Sequence, residues 1–126
     1  MFNETLMQTA QKLVDLCNAR KEAEGLDTLY EADAVSVEAL AMPGMDGAEA
    51  RGLAAIKGKH AWWNSAFEMH ASYAEGPYFH GMDRFAIKFV VETTNRETGQ
   101  RSKMHEVGIY TVKDGKIVRE EFFYAV

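Results

Sequence analysis

HEVGIYTVKDGKIVREEFFY, residues 105–124, decides the fold of this chain, because two apolar-rich runs flank one strong turn signal. Asp114-Gly115 between such runs specifies a two-residue β-hairpin, since Asp and Gly accept the positive φ angles that the tight turn demands. Such a loop pairs Val112 with Ile117, Ile109 with Glu120, Val107 with Phe122 and His105 with Tyr124. His105, Val107, Ile109, Glu120, Phe122 and Tyr124 then share one face, which we assign to the interior. Tyr110, Val112, Ile117, Arg119 and Phe123 share the other, too apolar for free solvation, which predicts a partner subunit there. A bulge near the turn would slip one strand and mix the two sets.

Upstream, DRFAIKFVVETT alternates strictly, with Phe85, Ile87, Phe89 and Val91 on one face. EMHASYAEGPYF precedes it as a second long strand, joined at His80-Gly81-Met82, and NRETGQ is a turn. The N-terminal part reads as helices. Leu6, Ala10, Leu13, Val14 and Cys17 recur at helical spacing over residues 3–24, and Gly25 is the expected stop. LDTLYEA is a short second helix, AVSVEAL a first strand, and AMPGMDGAEARG a loop. A third helix from Leu53 to about Phe67 stacks Ile56, His60, Trp63 and Phe67 along one face. Helices followed by a run of strands predict an α+β fold, with helices packed on one face of an antiparallel sheet.

The 126 residues make one domain spanning 1–126. A net charge of -5 without a basic block points to no nucleic acid and no anionic membrane. The lone Cys17 excludes an intrachain disulfide and fits a reducing compartment, and no apolar run reaches membrane-spanning length, so a cytoplasmic location is expected. The histidines stand apart from one another, which gives no metal motif, and no phosphate-binding glycine spacing or hydrolase elbow occurs.

LYEADAVSVEA, the GLAAIKG opening of the third helix and the YTVKDGKI ending, in that order, resemble the SnoaL-like branch of the nuclear transport factor 2-like superfamily, relatives of ketosteroid isomerases and polyketide cyclases. The resemblance covers essentially the whole chain. It implies a cone-shaped curved antiparallel sheet wrapped around N-terminal helices (a cystatin-like roll), a pocket inside the cone and frequent homodimers through the outer sheet face. It does not imply one reaction. Carried over residue by residue, Glu38 falls where the isomerases keep a proton-abstracting Asp, and His60 where they keep a pocket tyrosine. Their phenolic donor falls at Leu13 or Val14 and their neutral Asp donor near Val107, so neither donor is expected here. No cofactor is required.

These readings name Glu38 as a general base, with His60, His105 or Tyr124 as proton donors. Trp63, Phe85, Ile87, Phe89, Glu120 and Phe122 join Tyr124 as the ligand-binding walls. Each has a structural alternative: a rim glutamate for Glu38, a hydrogen-bonded core histidine for His60, a satisfied cross-strand pair for His105 and Tyr124, plain packing for Trp63. The expected ligand is a small hydrophobic carbonyl compound. It would be turned over by acid–base chemistry or, alternatively, held by a non-catalytic binding module of the same fold.

Overall fold

The computed structural model describes residues 3–125. Helix α1 (Glu4–Asn18) starts on an Asn3 cap whose side chain accepts from the Leu6 amide at 2.9 Å. The expected single helix to residue 24 breaks earlier. Arg20 takes a left-handed φ of 61°, the Arg20 and Lys21 amides donate back to the Cys17 and Leu16 carbonyls, and α2 (Glu22–Leu29) follows. An arginine carries no stop signal, whereas Gly25, the expected terminator, sits inside α2. There it is buried beside Leu13 and Leu16, and an added Cβ would meet both at ordinary van der Waals distance, so neither backbone nor packing makes it a stop. Arg20→Gly is accordingly expected to raise stability by about 1 kcal/mol, because glycine takes the left-handed conformation freely; a lower urea midpoint for the variant would refute this.

Helix α2 runs directly into β1 (Tyr30–Val37), so Tyr30 belongs to a strand rather than to the second helix. The Gly-rich loop ends in a short strand, β2 (Glu49–Arg51), and α3 spans Leu53–Ala66. Strands β3 (Phe67–His80), β4 (Arg84–Asn95), β5 (Arg101–Lys113) and β6 (Lys116–Phe123) complete one six-stranded, curved, open sheet in the order β2-β1-β6-β5-β4-β3. Every pairing is antiparallel except β1 with β6, which is parallel and sets Ser36 beside Glu120. The helices lie on the concave side. Leu6, Ala10, Leu13 and Val14 of α1, Leu26 of α2 and Ile56 of α3 form the core with Phe85, Ile87, Tyr110 and Ile117 of the sheet.

The hairpin corrects the expected faces. Asp114 (φ 52°) and Gly115 (φ 79°) form the two-residue turn, and Val112 does pair with Ile117. Val118 is then an extra residue: Thr111 pairs with Arg119, Tyr110 with Glu120 and Gly108 with Phe122. This bulge moves β5 by one position against β6 and exchanges its faces. Tyr110, Val112 and Ile117 therefore point inward and are at most 8% exposed, while His105 and Val107 point outward. Packing explains the choice. Tyr110 stacks on Phe85 with ring centroids 4.9 Å apart, and Phe122 meets Tyr110 edge-on. Both rings close over Gly108, where any Cβ would come within 2.9 Å of the Tyr110 ring.

Candidate functional site

Strands β1, β3, β4, β5 and β6, parts of all three helices and the loop after β1 line a cavity of about 380 Å³. The aromatic rings of Trp62, Trp63, Phe67, Phe89, Phe122 and Tyr124 supply much of its wall. Among the polar groups that reach it are Glu38 just past β1, Lys59 on α3, Glu106 on β5 and Glu120 on β6.

Lys59 is the hub of one wall. It follows Ile56 by three residues and precedes Trp63 by four, so the helix turns it inward with them, and its side chain is only 7% exposed. Its ammonium donates to Ser36 Oγ at 2.7 Å, stands 3.6 Å from Glu38 Oε1 and lies 5.5 Å from the centre of the Phe122 ring. Glu38 Oε2 is buried and has no hydrogen-bond partner among the described residues. One carboxylate oxygen therefore faces the ammonium, and the other is unpartnered among the described residues.

The sheet floor carries the other two acids. Glu120 is 2% exposed and accepts a hydrogen bond from the Tyr30 hydroxyl at 2.5 Å through Oε2, while its buried Oε1 has no partner among the described residues. Burial pushes its carboxyl above the usual range, against the opposing pull of the Tyr30 hydrogen bond, of the neighbouring Ser36 hydroxyl and of Lys59. Glu106 is pushed up to about 7, first by burial and then by the charge of Glu38, with Lys59 opposing. The Tyr30 and Tyr110 phenols are held well above 10 by burial and by Glu120, so both stay protonated. Burial and neighbouring Lys59 lower His60, which keeps its imidazole neutral near pH 7. Cys17, also on the lining, is no nucleophile, because burial, with Glu22 and Glu120 adding to it, pushes its thiol up to about 12.

Of the residues singled out from sequence, Glu38, His60, Trp63, Phe89, Glu120, Phe122 and Tyr124 line this cavity. Phe85 and Ile87 lie beneath it in the core, 1% and 0% exposed. His105 pairs with Val90 and is exposed on the convex face, so the expected cross-strand cluster with Tyr124 does not form. The bulge at Val118 is the reason. Sequence reasoning missed Lys59, Ser36, Tyr30 and Glu106. Only Lys59 left a signal, a cation in register with Ile56 and Trp63. Glu106 was hidden by the same slip that displaced His105. It lies one residue from the position where the isomerase resemblance located its neutral acid, so that part of the wall holds an acid after all.

The SnoaL-like domain profile matches residues 5–124, and the chain belongs to that family. A SnoaL-like protein of Mesorhizobium loti, for which a polyketide cyclase role has been suggested, is 37% identical, with a TM-score of 0.84 over 94% of this chain and 97% of its own. Two more distant structures share the fold. One is a computationally designed 17-OHP binder (18% identity, TM-score 0.72, 97% and 94% covered). The other, from Catenulispora acidiphila, has a ketosteroid isomerase-like fold and was solved in complex with trimethylamine (18%, 0.70, 94% and 85%). No protein of curated function matches the sequence. Among the described residues, no helix is long and apolar enough to cross a membrane.

Proposed function

We propose that the cavity is the active site of an acid–base enzyme that moves a proton next to the carbonyl of a small, largely apolar compound. The observation that carries this reading is the Glu38–Lys59 pair, with one free carboxylate oxygen in an aromatic-walled cavity. Glu38 Oε2 takes the proton α to the carbonyl. Lys59 has three N–H donors, of which Ser36 takes one while Glu38 stands at ion-pair distance, so a free N–H meets the oxygen on which negative charge develops. The neutral His60 imidazole is a further N–H donor on the same helix. The test needs no knowledge of the natural substrate. Cyclohexanone, butanone and 2-tetralone are incubated with the protein in D2O, and loss of the α-proton signals is followed by NMR. Accelerated exchange that disappears in Glu38→Gln supports the reading; exchange at the buffer rate for all three ketones overturns it.

A non-catalytic binding module is the second reading, and the ligand-holding neighbours of this fold favour it. A ketone that quenches the cavity tryptophans yet exchanges no faster than in buffer would establish binding without chemistry. The single buried cysteine suits the cytoplasmic location we propose.

We also propose a homodimer through the convex sheet face, with residues different from those expected at first. Tyr110, Val112 and Ile117 are buried within the chain, but Val107 and Phe123 pair on that face, 37% and 51% exposed, and Tyr73 stands on its flank at 62%. Lys88, which pairs with Val107, and Glu121, which pairs with Ile109, add charges of both signs to the same patch, which a two-fold axis could set against each other. Phe123→Asp is expected to convert dimer to monomer, because each chain would then bury a carboxylate without a partner. Light scattering that gives the single-chain mass of 14.1 kDa for the unaltered protein at micromolar concentration would refute the assembly.

A further inference from the structure

The charged groups around the cavity do not balance. Arg20 pairs with Glu22 at 3.7 Å near the α1–α2 connection, and Lys59 on α3 pairs with Glu38 at 3.6 Å. His60, the remaining base on the lining, is held neutral by burial and by Lys59. Glu106 on β5 and Glu120 on β6 share the field of that same Lys59, and among the described residues no second unpaired cation on the lining remains to meet them. Tyr30, Tyr110 and Tyr124, the phenols around them, offer hydroxyls and no positive charge. Glu120 also keeps a buried oxygen without a partner.

We infer that the cavity takes an organic cation, a protonated or quaternary amine, seated against Glu106 and Glu120 and among the aromatic rings of its wall. Two independent observations meet here. The first is the surplus of carboxyls together with the unpartnered Oε1 of Glu120, which is 2% exposed and stands on the cavity lining. The second is the aromatic wall, whose ring faces attract a cation and bury its methyl groups, as they would not a hydrated metal ion. The acids stand on separate strands, and no group of three potential ligands among the described residues could hold a metal ion. A cavity of about 380 Å³ lies at the small end of ligand sites, which fits a compact amine. The inference deepens the acid–base reading and rests on it for the substrate class: an amino ketone would place its carbonyl at Lys59 and Glu38 and its nitrogen at Glu106 and Glu120. Cation binding itself does not depend on turnover.

The arrangement makes binding and proton release one event. An organic cation prefers ionised carboxylates, so seating it drives a proton off Glu106. With Glu106 ionising at about 7, its charged fraction rises roughly tenfold between pH 6 and pH 8. The probes are benzyltrimethylammonium and neopentylbenzene, its uncharged carbon isostere, titrated against the fluorescence of Trp62 and Trp63, both on the cavity lining. The cation is expected to bind at least tenfold more tightly than the isostere at pH 8, and roughly tenfold more tightly at pH 8 than at pH 6. Glu106→Gln, whose fold is checked by circular dichroism, should lose much of that pH dependence, leaving only the part due to Glu120, and leave the isostere unaffected. Equal or tighter binding of the isostere by the unaltered protein at both pH values overturns the inference, as does a pH dependence that survives undiminished in Glu106→Gln. Ketone exchange separates the two proposals. Exchange without cation preference leaves the acid–base reading standing and removes this one; cation preference without exchange does the reverse.

Discussion

Glu38→Gln should lower the rate of α-proton exchange on a ketone by roughly 10²–10⁴-fold, the usual contribution of a positioned general base, while ketone affinity and fold persist. Glutamine has the shape of glutamate and keeps an oxygen toward Lys59, but its amide does not accept a proton at neutral pH. Lys59→Met should cost a comparable amount through the other half of the pair, about 10²–10³-fold, the usual loss when one preorganised donor to a developing oxyanion is removed. The two effects should not multiply. If base and donor act on the same bond at the same moment, the double variant retains about as much activity as the worse single one. Glu38→Gln exchanging at the unaltered rate would exclude Glu38 as the base. A double variant whose loss is the product of the two single losses would show that Lys59 acts outside the proton transfer. That Lys59 keeps its hydrogen bond to Ser36 makes the glutamine variant a fair test, since the ammonium stays in place when the ion pair is gone.

The parts of this site that could be read from sequence are those that repeat with a regular period. Phe85, Ile87 and Phe89 alternate in a strand that needs no irregularity to bury them, and the structure turns all three inward. Ile56, His60 and Trp63 share a helix face for the same reason. What stayed hidden depends on single departures from period. One extra residue, Val118, exchanges the faces of β5, bringing Glu106 and Tyr110 into the interior and putting His105 outside. Nothing marks Val118 as a bulge, because valine suits any strand position. The deciding influence is remote: the Phe85 ring offers Tyr110 a stacking surface, and Gly108 makes room for it. The parallel pairing of β1 with β6 is equally non-local, and it is what brings Tyr30 and Ser36 to Glu120. A dimer patch drawn from the unslipped register thus named three core residues, although Phe123 remained on the outer face.

Raising the pH from 5 to 8 should destabilise the unliganded protein, and Glu106→Gln should remove much of that loss. An unperturbed glutamate ionises near 4.5, whereas folded Glu106 does so at about 7, first because it is buried and then because Glu38 carries like charge. Below pH 4.5 the carboxyl is protonated in both states and costs nothing. Between pH 4.5 and 7 the unfolded chain releases the proton while the folded chain retains it, so stability falls as pH rises; above 7 the deficit is constant. The span corresponds to a deficit on the order of 3 kcal/mol, and Glu120, shifted in the same direction, adds to it. Glutamine has a similar shape and no charge to desolvate. The stability difference between Glu106→Gln and the unaltered protein, from urea midpoints, should therefore be small at pH 5 and reach on the order of 3 kcal/mol in favour of the variant at pH 8. A difference that stays flat across this range would show that Glu106 ionises as freely in the fold as outside it. A bound organic cation should reverse the order. It compensates the charge that the empty fold carries at a loss, so saturating benzyltrimethylammonium at pH 8 should stabilise the unaltered protein more than the variant. A site that weakens its own fold when empty and recovers when filled is what retention of two surplus acids in an apolar cavity requires.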